Sequence, residues 1–371
     1  MRQWVQPKDH RHLQGFAEAV AAILLSQSAC LGRWIPYLTH RDCQARAHLA
    51  RLSYFLHNEH ISSERFYIPL LRQFLQGFSG SDLILTLDSS LLGERFCLVE
   101  VCLAWGGRSI PLAQVVLEHA SATVSFEQYQ NLLETARVVL PAGCRVTLLA
   151  DRGFEHGALL RWLAQQQWAW AIRAKSDLRV TLAEGSNHSV AELIAASQTA
   201  HLYHNVTVIG DIGCHLATAH VREAQESWAV LTSEPPTLQT FALYGQRFGG
   251  IEPHFKDYKS AALALLDSGL QDARALTCLL MLLTCASLIA LVLAMLLVRC
   301  GQRTRLDWHG QRGLSFLQLG LREVARRCYE GIALPQLNQL PKCNPPPACA
   351  SRRKREALDC RIEFSKVVVF S

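Results

Sequence analysis

Two aspartates stand where the chain would leave apolar strands. The run Leu83-Ile84-Leu85-Thr86-Leu87 ends at Asp88, and the apolar run 145–150 ends at Asp151. Sites in open α/β sheets collect at strand ends and in the loops beyond them, so neighbouring strands would bring the two carboxylates together. Two carboxylates held close repel each other unless a cation or a proton compensates. A hard divalent ion such as Mg²⁺ takes oxygen ligands of this kind. A third carboxylate, Glu252, falls in a helical stretch and is followed seven positions later by Lys259, two turns on along the same face. Any one such Asp taken alone is more often a turn former or helix cap. The combination favours a shared catalytic divalent-ion site over three unrelated turn or cap residues.

The elements that must position these groups follow from the residue patterns. Residues 1–80 are expected to be helical, with Leu49, Leu52, Phe55 and Leu56, then Leu70, Leu71, Phe74 and Leu75, at helical spacing. Basic and His residues on their polar faces, among them His40, Arg41, Arg46, His48 and Arg51, suit a solvated surface or a DNA-binding head. Residues 81–172 read as a catalytic core, first part. Three strands over 83–117, with a turn at Gly106-Gly107-Arg108, are followed by a helix, the strand ending at Asp151, another helix and a strand over 168–172. Residues 173–232 alternate in the manner of strands, as in Val206-Thr207-Val208-Ile209, and form an expected β-rich insertion. Residues 233–330 return to helices of the core. Residues 331–371 read as an irregular tail with Pro345-Pro346-Pro347 and the basic cluster Arg352-Arg353-Lys354-Arg355, a solvated end or a nucleic-acid contact.

Composition narrows the class. The chain has 371 residues, half of them hydrophobic, which excludes a largely disordered protein. The formal net charge of +6 fits a nucleic-acid partner without requiring one. The 13 cysteines form no CxxC pair, so free thiols in a reducing cytosol are preferred to zinc at Cys343, Cys349 and Cys360. No basic-then-apolar signal peptide is visible, and a cytoplasmic location is expected. The uncharged run Leu276–Val298 could by hydropathy be a transmembrane helix or a helix buried on all sides. Its place directly after the Glu252 helix, with Thr277, Cys278, Thr284, Cys285 and Ser287 in it, favours the buried helix and no membrane partner.

Across roughly residues 83–327 the chain resembles the family-four insertion-sequence transposases. Leu85-Thr86-Leu87-Asp88-Ser89-Ser90 resembles the first-Asp motif, and Leu148-Leu149-Ala150-Asp151-Arg152-Gly153-Phe154 resembles the second. Tyr244, Arg247, Glu252 and Lys259 resemble the Tyr-Arg-Glu-Lys signature that carries the third carboxylate. The resemblance implies an α/β fold: a ribonuclease-H-like mixed sheet flanked by helices, interrupted by the β-rich insertion and preceded by a helical N-terminal domain. It implies a cut-and-paste DNA transposase with Asp88, Asp151 and Glu252 holding two Mg²⁺ ions, Mn²⁺ being able to substitute. Its partners would be double-stranded DNA, as transposon-end inverted repeats and target, and a second copy of the chain in the synaptic complex. It implies DNA contacts from Arg173, Lys175, Tyr244, Arg247 and Lys259, and a flipped base on Trp228, with hairpin intermediates during excision. A ribonuclease-H-like nuclease without strand transfer, an inactive remnant, and a membrane-anchored non-enzyme remain the alternatives.

The signature departs from the family at one place. Four residues, Phe248, Gly249, Gly250 and Ile251, lie between Arg247 and Glu252 where the family has three. One extra residue turns a regular helix by about 100°. Arg247 is therefore expected to lose its alignment while Glu252 keeps its own, unless the Gly pair hosts a π-bulge.

Overall fold

The computed structural model describes residues 5, 7–39, 42–196, 198–220, 227–261, 263–337, 339–341, 348–349 and 364–370. His40, Arg41, Cys343, Cys360, the proline run and the basic cluster 352–355 lie outside the described residues.

The helical start comprises α1 (His10–Ser26), α2 (Ala45–His57) and α3 (Tyr67–Leu75), with a 3-10 helix (Leu31–Tyr37) between the first two. The core sheet begins with β1 (Asp82–Leu92), β2 (Phe96–Trp105) and β3 (Arg108–Glu118), an antiparallel meander turned by Gly106, whose positive φ suits glycine. Helix α4 (Phe126–Val139), opened by a Ser125–Gln128 capping box, crosses back to β4 (Arg145–Ala150), which runs parallel to β1. Helix α5 (Gly157–Gln165) leads to β5 (Ala169–Arg173), parallel to β4. The order β3-β2-β1-β4-β5 is a mixed sheet of three antiparallel and two parallel strands, flanked by helices. This is the α/β, ribonuclease-H-like class expected from the sequence.

The insertion supplies β6 (Arg179–Thr181), β7 (Asn187–Ser189), β8 (Thr199–Val208), β9 (Ile212–Ala219) and β10 (Trp228–Thr232). Its strands do not form a sheet of their own. Strand β10 pairs antiparallel with β5, so one 11-stranded sheet continues through β10, β9, β8, β6 and β7. The tail, expected to be irregular throughout, ends in β11 (Lys366–Phe370), which pairs parallel with β8 and stacks Phe370 on Tyr203.

The chain then returns through α6 (Leu238–Lys256), a π-helical turn (Asp257–Ala261), α7 (Ala273–Arg299) and α8 (Phe316–Tyr329). Helix α7 is the uncharged run. It starts on Asp272, whose carboxylate accepts the Ala275 N–H at 2.7 Å, and it is buried along nearly its whole length against α8, α1, α2 and β3. It is long and apolar enough to cross a membrane, but its surface is covered by its own protein.

The α7–α8 crossing depends on a glycine. A Cβ on Gly320 would lie 1.9 Å from the Ala290 carbonyl oxygen of α7. Overpacking of a core costs about 1–3 kcal/mol. Gly320→Ala is expected to lower the melting temperature by several degrees, whereas Gly153→Ala, with open space around its Cβ, is expected to leave it unchanged. Equal melting of the two variants would mean that the helices are not held this closely.

Candidate active site

Asp88 does not end its strand, as the apolar run suggested; β1 continues to Leu92. What ends is the neighbour. The last β1–β4 pair is Leu87 with Ala150, so Asp88 and Asp151 follow side by side just beyond the shared ladder. The proximity is electrostatic as well as topological. Burial pushes the Asp88 carboxyl up to about 6, and the charge of Asp151 adds to the rise, while Arg247 and the Ser89 N–H oppose it. The Ser89 N–H donates to Asp88 Oδ1 at 2.9 Å, and the Arg152 N–H donates to Asp151 Oδ1 at 2.8 Å.

Helix α6 closes the site from above. Arg247 Nη2 lies 2.7 Å from Asp88 Oδ2, with both side chains largely buried. The fully buried Tyr244 lies one turn earlier, in the field of Asp88, Asp151, Arg173 and Arg247; burial first, then the two carboxylates, raise its phenol above its ordinary value. Trp228, half-buried on β10, meets the Tyr244 ring edge-on at 5.5 Å. Arg173 ends β5 opposite Val230, its guanidinium reaching the Ser227 carbonyl. Lys259 also senses Asp88: burial lowers its pKa, and Cys97 and Asp88 partly offset that. Lys175 is exposed, and its N–H donates to Glu155 Oε2 at 2.6 Å.

The expected misalignment falls on the other partner. Arg247 keeps its place on Asp88, and Glu252 is exposed. The helix is regular from Arg247 to Glu252, and five residues at about 100° each put Glu252 roughly 140° around the axis from Arg247. The Gly pair does not host the bulge. Gly250 is instead a close-packing point, where a Cβ would meet Ser109 Oγ at 3.2 Å and the Arg108 carbonyl oxygen at 3.4 Å. The extra residue is taken up downstream, in the π-helical turn 257–261, after Pro253 has already removed one helical N–H. The π-turn winds more slowly than an α-helix and so carries Lys259 back toward Arg247's direction, in keeping with Lys259 reaching the field of Asp88 while Glu252 does not share the face.

Sequence reading passed over a buried polar layer beneath these groups. Glu100 is the cross-strand partner of Asp88, fully buried, and its Oε2 lies 3.1 Å from His254 Nε2. His254 sits seven residues after Arg247 and so shares its helix face. With its amide turned to satisfy both ends, Gln114 of β3 donates to Glu100 Oε1 at 2.8 Å. The ligand atoms of Glu100, Cys102 and His254 lie within 4.8 Å of one another. The signal was a lone acidic residue inside the apolar run of β2, a pattern that requires a buried partner.

The two adjoining carboxylates offer oxygen donors of the kind a divalent cation takes, with Arg247 supplying positive charge beside them. Fold and paired carboxylates together define an α/β protein whose site is suited to a cation and a phosphate. The family follows from comparison: residues 92–289, more than half of the chain, match the family described as the transposase DDE domain, and the chain belongs to it. Asp88 lies just before the matched span. Among solved structures, a piggyBac transposase in a synaptic complex with hairpin DNA is similar, at 11% identity and a TM-score of 0.42, covering 86% of this chain and 70% of that one. No curated protein matches the sequence.

Glu155, which holds the Lys175 N–H, gives the site region a pH signature. Burial pushes its carboxyl up to about 7, against the Lys175 N–H and charge, with Asp177 adding to the rise. A folded-state pKa above the unfolded one means that the folded protein binds the proton more tightly. Stability from this group is full below about pH 4.5 and is lost as pH rises through 7. Wild-type protein is expected to lose urea resistance between pH 4.5 and 7.5 relative to Glu155→Gln. Parallel urea midpoints across that range would show that Glu155 titrates normally.

Proposed function

We propose that this protein is a DNA transposase of the family-four insertion-sequence type, cutting and rejoining DNA by a cut-and-paste route at the Asp88–Asp151 site. The observation that carries the reading is the placement of these two carboxylates side by side where β1 outruns β4, inside a chain that belongs to the transposase DDE family. Asp88 and Asp151 would hold the metal, with Glu252 as the third ligand. When bound, Mg²⁺ or Mn²⁺ would activate water or a 3′-hydroxyl and stabilise the leaving oxygen.

The chain's own side chains bind and orient. Arg247 balances the charge on Asp88 and is placed to take over a phosphate; Lys259, Arg173 and Lys175 extend that positive track. Tyr244 is a buried support for both Arg247 and Trp228. Trp228 offers part of its indole to an extruded base, where stacking returns about 1–3 kcal/mol. Glu252 joins the carboxylates when α6 turns about its axis. Moving the π-turn from 257–261 back to Gly249-Gly250 would swing Glu252 by about 100°, leaving it roughly 40° from Arg247's present direction. The helical segment 1–80 is assigned to DNA-end binding, and two copies of the chain hold two ends together. A nuclease that cuts without joining would use the same carboxylates.

The test uses the full-length protein, labelled DNA from the flanks of its own gene, and Mg²⁺ or Mn²⁺. Asp88→Ala and Asp151→Ala are each expected to lower cleavage by at least a thousandfold, and Glu252→Ala to match them. Full cleavage by either Asp variant would sink the assignment of the site. Cleavage by Glu252→Ala alone would remove Glu252 as a ligand and leave the pair standing. Transfer of the cut strand to a second DNA separates a transposase from a nuclease.

Trp228→Ala is expected to slow hairpin formation by about tenfold while the first nick keeps its rate, in line with loss of one stacked base. Equal slowing of both steps would reduce Trp228 to a packing residue.

A further inference from the structure

We propose that the segment 303–313, with Trp308 at its centre, is a second nucleic-acid site, which stacks an unpaired base on Trp308 and binds the adjoining phosphates through Arg305 and Arg322. The site lies apart from the carboxylates. Phe316, at the start of α8, packs against Trp105 and Gly106 at the β2–β3 turn. Trp105 is five residues along β2 from Glu100, the partner of Asp88, or about 17 Å of strand.

Trp308 is 72% exposed, an unusual position for so large an apolar ring. Its surroundings are built rather than loose. His309 stacks beside it with ring centroids 4.8 Å apart, and the Arg322 guanidinium lies 5.1 Å from the ring centre. The turn beneath is organised by Asp307, fully buried, which accepts from Arg303 Nη1 at 3.0 Å, from the Gly313 N–H at 2.9 Å and from the His309 N–H at 3.2 Å. A carboxylate so used fixes the turn that carries Trp308.

Charge decides the partner. Between residues 299 and 327 the acidic residues are Asp307 and Glu323. Both are fully buried and already bonded, Asp307 to Arg303 and Glu323 to Arg326 and Arg327. Arg299, Arg305 and Arg322 are exposed, and among the described residues none of them forms an ion pair. An exposed flat aromatic set among uncompensated guanidinium groups is the arrangement that takes a single nucleic-acid strand: the ring accepts any base, and the arginines accept phosphates. A protein partner would instead need a contiguous apolar patch, which the exposed arginines interrupt. For the chemical identity of the strand the proposal rests on the DNA reading above, but its test requires no cleavage.

The experiment measures binding of two oligonucleotide duplexes of equal sequence, one blunt and one with a single-stranded overhang, by fluorescence anisotropy across a salt series. Trp308→Ala is expected to weaken binding of the overhang duplex by about tenfold and leave the blunt duplex within twofold; Trp308→Phe restores most of the loss. The double variant Arg305→Ala/Arg322→Ala is expected to lower the slope of log affinity against log salt by about 1–2 for the overhang duplex. Trp308 is exposed, so unchanged melting temperatures will show that these variants fold. An equal loss on both duplexes, or no loss on either, overturns the proposal. The assay is run without divalent cations and reads binding alone, which keeps this outcome separate from that of the cleavage assay.

Discussion

The contact between Arg247 and Asp88 governs how the second half of the chain meets the first. Strand pairing puts Asp88 and Asp151 next to each other under a helix, where two uncompensated carboxylates would repel strongly. Arg247 answers that charge at 2.7 Å and by doing so sets the rotation of α6. Once that angle is fixed, Tyr244 falls against Trp228, Gly250 against β3, and His254 against Glu100. Removing one member of a buried ion pair commonly costs about 3–5 kcal/mol, so the angle is well defended.

The same angle explains the fate of the inserted residue. A helix of fixed pitch cannot present Arg247, Glu252 and Lys259 to one point when the first spacing is five and the second seven. The π-turn at 257–261 corrects the phase for Lys259 but comes too late for Glu252. His254 and its tie to Glu100 add a second anchor on the Arg247 face, so a turn of the whole of α6 toward Glu252 must break two polar contacts together, and a turn of the part beyond Gly250 must break the His254–Glu100 contact.

Much of the core was legible because its signals are local. Strand periods and the two apolar runs before Asp88 and Asp151 are written in neighbouring residues. The uncharged run read as a buried helix for a similar reason, its Thr and Cys residues sitting in the segment itself. What escaped depends on pairing between distant segments. The insertion's continuity with the core sheet rests on β10 choosing β5, and β11 on finding β8, neither of which alternation can reveal. Glu100 and His254 are 154 residues apart and meet only after α6 is placed. The spacing departure at Glu252 was visible, but which partner would yield depended on the field around Asp88, a tertiary property.

The unbroken sheet has a geometric consequence. Adjacent strands rotate by roughly 20–25° in a fixed hand. From β1 to β8 there are five such steps, through β4, β5, β10 and β9. Their sum is a turn of about 100–125°, so the outer strands stand nearly crosswise to the strand that bears Asp88. A straight, stiff duplex cannot lie along both regions at once. Any nucleic acid engaging both regions together would have to curve around the twist, so its deformability would enter the energy of binding.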